Sequence, residues 1–156
     1  MRLADVLRQD CIIADLKARS KNDLLDEMVT GVLSKIKYLE KERVMTALLE
    51  REKLGTTGIG HGVAIPHGKI RGLREIIVFF GRSRRGVEFN SMDNMPVYIF
   101  FLIIAPENSA AAHLKVLASI SHLLKNHDFR GKLMSAQDSS EIFRIITEAE
   151  RKTGIA

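Results

Sequence analysis

The chain has 156 residues, enough for a substantial buried core, and its 46% hydrophobic and 28% charged residues are ordinary for a water-soluble globular domain. The longest apolar run, Val97 to Ala105, has a strand's length, and the Met1-Arg2-Leu3-Ala4-Asp5 start lacks the apolar core of a secretory signal, so neither membrane insertion nor export is expected. The net charge of +5 is scattered, without a dense Lys/Arg stripe or an aromatic platform, so no nucleic-acid binding is expected; an acidic protein partner would be steered equally well.

The single cysteine, Cys11, cannot form an internal disulfide, and a reducing cytoplasm is the simplest compartment. Residues 10–16 suit a short strand. Ser20 reads as a helix N-cap, with Asp23 in the position of a capping box. Leu24, Leu25, Met28, Val29, Val32, Leu33 and Ile36 follow at helical spacing. A second helix is predicted from Lys41 to Lys53, with Val44, Leu48 and Leu49 inward.

Helical periodicity stops at Gly55, and six of the eleven glycines fall between there and Gly72. Glu75–Gly81 and Val97–Ala105 read as buried strands. Between them, Arg82 to Pro96 is polar and is expected to loop out, with Gly86 to Phe89 as a short strand or turn. The four aromatics Phe79, Phe80, Phe100 and Phe101, with Met92 and Met95, read as core or interface packing. Ala112 to Lys125 then forms a helix with Leu114, Leu117, Ala118, Ile120 and Leu124 on one broad face, and His122 on its surface and His127 in the loop beyond. Asp138 opens a last helix carrying Ile142, Phe143, Ile145, Ile146 and Ala149. Central strands with helices before and after predict an α/β fold, a single-domain sandwich over residues 1–156 with a mixed β-sheet flanked by helices.

The glycine-rich stretch carries the chemistry. Glycines let backbone N–H groups approach an anion closely. Pro66 stiffens the approach to His67 and pushes Ile65 toward extended backbone, while Gly68 leaves little bulk beside the ring. Neutral imidazole, with an ordinary pKa of roughly 6.5, is a competent phosphoryl acceptor near neutral pH. Backbone N–H groups, the hydroxyls of Thr56 and Thr57, and the Arg51 cation are candidates to neutralise phosphoryl oxygens. On these residues alone His67 reads more readily as an ordinary surface or turn histidine than as a nucleophile. The stretch lacks the Gly-Lys-Ser/Thr ending of a P-loop, and the six-residue spacing of His61 and His67 is no recognised metal pattern, so no metal and no cofactor are expected.

The run from Leu49-Glu50-Arg51-Glu52-Lys53-Leu54-Gly55-Thr56-Thr57-Gly58 through Ile65-Pro66-His67-Gly68 resembles the signature of fructose/mannitol-type enzyme IIA domains of the bacterial phosphoenolpyruvate-dependent phosphotransferase system, most of all the nitrogen-type regulatory branch. The resemblance extends from Leu3-Ala4-Asp5-Val6-Leu7 to the helix at Glu141–Ile146. It implies that His67 is the phosphorylated histidine, that His113, in a His-Leu pair, positions the phosphoryl group or the ring, and that Arg51 is a possible phosphate contact. It implies a histidine-containing phosphocarrier protein as donor, and regulatory targets or an enzyme IIB as acceptor. Because sugar-specific relatives are often fused to further domains, a chain ending at Ala156 leans toward the regulatory output. The resemblance assigns no role to His61. Without it, His113 reads as a partly exposed residue near the start of an amphipathic helix.

Overall fold

The computed structural model describes residues 2–153. Six strands form one mixed sheet: β1 (Ile12–Ile13), β2 (Gly58–Gly60), β3 (Val63–Ala64), β4 (His67–Ile70), β5 (Ile77–Val87) and β6 (Val97–Pro106). The helices are α1 (Leu3–Val6), α2 (Lys21–Lys35), α3 (Lys41–Lys53), α4 (Ala110–Leu124), α5 (His127–Ser135) and α6 (Ser139–Thr153). None among the described residues is long and apolar enough to cross a membrane.

β6 is the hub because its apolar run has no polar face to turn to water. Every residue from Ile99 to Ala105 is buried, as a strand covered on both faces must be. It pairs antiparallel with β5 on one side. On the other it pairs in parallel first with β3 and then with β4. β1 extends the sheet in parallel beyond β5, and β2 extends it antiparallel beyond β3.

Consecutive strand residues point to opposite faces, and β5 shows which helices cover each. Gly81 faces Leu16 and Met28 of α2, whereas Arg82 reaches the carbonyls of Leu133 and Ala136 at the end of α5. Helices α2 and α3 therefore cover one face and α4 to α6 the other. Ser20 caps α2 as expected, its hydroxyl accepting from Asp23 N–H at 3.3 Å. Glu150 of α6 is buried and its carboxylate accepts from the backbone N–H groups of Leu3 and Ala4, tying the first helix to the last.

Four sequence readings change. The strand expected over residues 10–16 shrinks to Ile12–Ile13, because Gln9–Cys11 coils into a 3₁₀ turn. The segment from Arg82 does not loop out at once; β5 runs on to Val87. Its charge misled, because Arg82 is fully buried: Nε donates to Ala14 O at 3.1 Å, and Nη1 donates to Leu133 O at 3.0 Å and to Ala136 O. Helix α4 turns a different face inward, with His113, Val116, Ile120, Leu123 and Leu124 buried while Leu114 is 67% exposed. His127 opens a helix instead of lying in a loop, with Asn126 as N-cap and Phe129 and Leu133 as its buried stripe. The phenylalanines are core, but Met92 and Met95 stand on the surface.

Arg82 should behave as a structural cap on α5. Arg82→Met is expected to lower stability by about 3 kcal/mol, since its carbonyl partners lose their donors without access to water. Arg82→Lys should recover only part of this, because one ammonium cannot reproduce the planar fork. The urea midpoints of the three proteins check it.

Candidate functional site

The site forms where an edge strand is interrupted. β3 and β4 lie in succession along the same side of β6, separated by Ile65-Pro66. Pro66 has no N–H to give to a ladder, but its carbonyl accepts from Ile103 N–H at 2.9 Å and so sets the register in which His67 lies opposite Ile103. Ile65 O is left to accept from a side chain. The Nδ1–H of His67 fills it at 2.8 Å. With the proton on Nδ1, Nε2 carries the free lone pair.

The Nε2 lone pair points at α3. Arg51 Nε–H donates to it at 3.1 Å, and Arg51 Nη1 donates to Gly55 O at 2.9 Å. Arg51 reaches this far because α3 rides close on β4. Gly68 faces Ala47, and a Cβ at position 68 would stand 3.2 Å from Ala47 Cβ. Ala47 and Arg51 are one turn apart on the same helix face.

From the other layer comes His113. Its ring is buried and meets His67 edge-on, with centroids 5.4 Å apart and planes at 79°. His113 Nε2 is buried and has no hydrogen-bond partner among the described residues. His67 and His113 share an open cavity of about 590 Å³ with Arg51, Lys69, Leu54 and Leu114. Leu54 and Leu114 stand 85% and 67% exposed at its rim.

Burial pushes the His67 pKa below its ordinary 6.5; the bond to Ile65 O and the more distant Glu52 oppose this, and the Arg51 charge adds to it. Burial also lowers His113, helped by the charges of His67 and Lys69. Both rings are therefore neutral at pH 7. The arrangement offers a neutral imidazole with a lone pair and two cations around one open space, and a lining residue, His113, whose Nε2 is buried and unpaired among the described residues.

Thr56, Thr57 and His61 do not line this cavity. Thr57 Oγ1 donates to Glu52, and Thr57 N–H donates to Glu52 Oε1 at 3.1 Å. Thr56 Oγ1 accepts from Gly58 N–H at 3.1 Å. Their hydroxyls serve the turn, not the space beside His67, and the expected help from them is not seen. Gly68 lies at the site, but as a packing position. His61 is exposed at φ 57°, its N–H donating to Asp93. Among the described residues no group of three His, Cys, Asp or Glu side chains is placed to hold a metal. The sequence reading gave no role to Glu52 and did not anticipate the exposed pair Leu54 and Leu114. Spacing flags one more contact: Ala47 lies four residues before Arg51, on its face of the helix.

Residues 5–149 match the family described as phosphoenolpyruvate-dependent sugar phosphotransferase system, EIIA 2. A nitrogen regulatory protein of Bradyrhizobium diazoefficiens is 40% identical over 146 residues, covering 94% of this chain and 95% of its own length. The fructose-specific EIIABC component of Bacillus subtilis is 32% identical across 97% of this chain, which spans 24% of that longer protein. The structure of nitrogen regulatory protein IIA-Ntr from Neisseria meningitidis superposes with a TM-score of 0.85 at 34% identity, covering 91% of this chain and 97% of that one.

Two measurements probe this geometry. Gly68→Ala should push α3 from β4 and cost about 1–2 kcal/mol of overpacking. It should also lengthen the Arg51–His67 bond, so the His67 ring should titrate higher by NMR. Ala47→Gly in the same chain should bring the titration back. The second is pH dependence. The unfolded chain protonates both rings near pH 6.5, before the folded chain does. Stability present above that pH is lost as pH falls through it toward the folded-state values. Urea midpoints should fall between pH 7.5 and about 5.5, with a shallower slope in His113→Gln.

Proposed function

We propose, because the chain belongs to the EIIA 2 family of the phosphoenolpyruvate-dependent sugar phosphotransferase system, that it is a cytoplasmic phosphocarrier whose His67 accepts a phosphoryl group through Nε2. The observation that carries this is the tautomer: Nδ1–H is committed to Ile65 O, and Nε2 keeps its lone pair, covered at rest by Arg51 Nε–H, on a ring that lines the open cavity. The donor is a histidine-containing phosphocarrier protein.

In the transfer, the Nε2 lone pair attacks phosphorus in line, and the phosphorus–nitrogen bond to the donor imidazole breaks. The bonding pair returns to the donor ring. No proton moves on His67, because Nδ1 keeps its hydrogen throughout. Arg51 Nε–H, released from the lone pair it covers at rest, turns to a phosphoryl oxygen. His113 Nε2, in the tautomer that carries hydrogen there, donates to another. Such charge stabilisation, with positioning, is what phosphoryl transfer asks of a protein.

The output is regulatory. A phosphoryl group on His67 adds negative charge inside the ring of Leu54 and Leu114, and so changes which proteins bind there. The near-complete mutual coverage with a nitrogen regulatory protein supports this. The fructose-specific relative supports a second reading, in which His67 passes its phosphoryl group to a separate enzyme IIB.

Incubation with phosphoenolpyruvate, enzyme I and the histidine-containing phosphocarrier should add one acid-labile phosphoryl group, located on His67 by mass spectrometry at alkaline pH. His67→Ala should take up none. His113→Ala should still be phosphorylated but transfer onward about a hundredfold more slowly, the cost of one positioned donor. Retention of label by His67→Ala would overturn the assignment. Rapid onward transfer to a fructose- or hexitol-type enzyme IIB would favour the second reading.

A further inference from the structure

One buried charge beside the site is not used by the transfer itself. Glu52 follows Arg51 on the last turn of α3 and points away from His67, with its side chain only 5% exposed. Both carboxylate oxygens are engaged. Oε1 accepts from Thr57 N–H at 3.1 Å and from Lys21 Nζ at 2.8 Å, and Oε2 accepts from Thr57 Oγ1. Lys21 is itself held, its Nζ lying 4.6 Å from the centre of the Phe89 ring.

These contacts close the turn that follows α3. The chain leaves the helix at Leu54, passes Gly55 with φ 151°, and is caught at Thr57. Gly55 O, in the middle of that turn, is the acceptor that holds Arg51 Nη1. Glu52 thus fixes the carbonyl that fixes the guanidinium that faces His67 Nε2.

We propose that Glu52 is a positioning residue for phosphoryl transfer: by clamping Thr57 and pairing with Lys21, it holds the turn whose Gly55 carbonyl aims Arg51 at His67. The inference rests on the phosphocarrier reading for its consequence, but its geometric link can be tested without any donor.

The His67 ring reports the link by the sign of its response. Glu52, as a nearby negative charge, raises the His67 pKa, whereas Arg51 lowers it and is the larger of the two influences. If Glu52 acted only as a charge, Glu52→Gln would move the His67 titration down. If Glu52 aims Arg51, losing the clamp lets the guanidinium leave, and the titration moves up. A role in stability alone would leave the titration unmoved in Thr57→Val, which keeps the Glu52 charge.

The experiment is NMR titration of the His67 imidazole in wild type, Glu52→Gln and Thr57→Val, each checked for a cooperative thermal transition. Thr57→Val keeps the Glu52 charge and removes only the hydroxyl clamp, so it also serves if Glu52→Gln does not fold. Both are expected to raise the His67 pKa. Single-turnover transfer from the phosphorylated donor protein should then fall about tenfold at saturating donor, with the donor concentration for half-maximal rate little changed, as a small misplacement produces. A folded variant whose ring titrates at or below the wild-type value, or whose transfer rate equals wild type, overturns the proposal. Failure of wild type to take up phosphate would defeat the phosphocarrier reading instead, while the ring titrations would still decide whether Glu52 aims Arg51.

Discussion

The site depends on how closely one helix lies on one edge strand. Helix α3 sits against β4 at the contact between Ala47 and Gly68, where even a methyl group would be crowded. That approach brings the next turn of α3 to the edge of the sheet, so Arg51 can reach around to a ring on the opposite side of β4. Side chains on β4 alternate: Gly68 faces α3, and His67 faces α4, where His113 waits. A cation from one helical layer and an imidazole from the other meet only at an edge strand. In the middle of the sheet the backbone would separate them.

The edge also explains the orientation of the nucleophile. Along this edge alternate residues turn their polar backbone groups toward β6, as Pro66 O does in accepting from Ile103 N–H. Ile65 turns its N–H the other way, to Thr57 O, so its carbonyl is left out of the β6 ladder and accepts from Nδ1–H of His67. That carbonyl selects the tautomer, and the tautomer leaves the lone pair on Nε2. The glycines at 60 and 62, with φ of 98° and 75°, shape the turn around His61 and leave His67 to its strand.

Much of this was legible in the sequence, for stated reasons. The long buried strand at Val97–Ala105, the cap at Ser20 and the two helices that follow show in periodicity and turn chemistry, and the structure differs by a residue or so at their ends. The segment around His67 was read through its resemblance to a family signature, since Pro66 and the glycines alone left His67 closer to an ordinary turn histidine. What failed did so where tertiary contacts reverse a residue's usual preference. Arg82 reads as surface and is core, because helix α5 ends directly over it with carbonyls to satisfy. Leu114 reads as core and is surface, because it borders the cavity. His113 reads as half-exposed and is buried, since α4 turns that residue and not its neighbour toward the sheet. Thr56 and Thr57 read as ligands for a phosphoryl group, but the carboxylate of Glu52 and the N–H of Gly58 claim them first. No sequence pattern reveals which of several polar groups will win a shared partner.

Under the proposed function, the electrostatics of the site suit a charge that is absent at rest. Two rings are held neutral by burial and by the cations Arg51 and Lys69. A neutral His67 keeps its nucleophilic pair, which protonation would remove. His113, also neutral, has one buried ring nitrogen that nothing among the described residues satisfies, a cost the fold carries without structural return. Under the proposed function, a phosphoryl group on Nε2 brings nearly two negative charges into the same space. Its oxygens give Arg51 a partner better than a ring nitrogen and give His113 Nε2 the acceptor it lacks. The same charge raises the pKa of His113, since an opposite charge favours the protonated ring. The residue that is kept neutral before transfer thus becomes a stronger donor after it, with no change in the backbone that holds it.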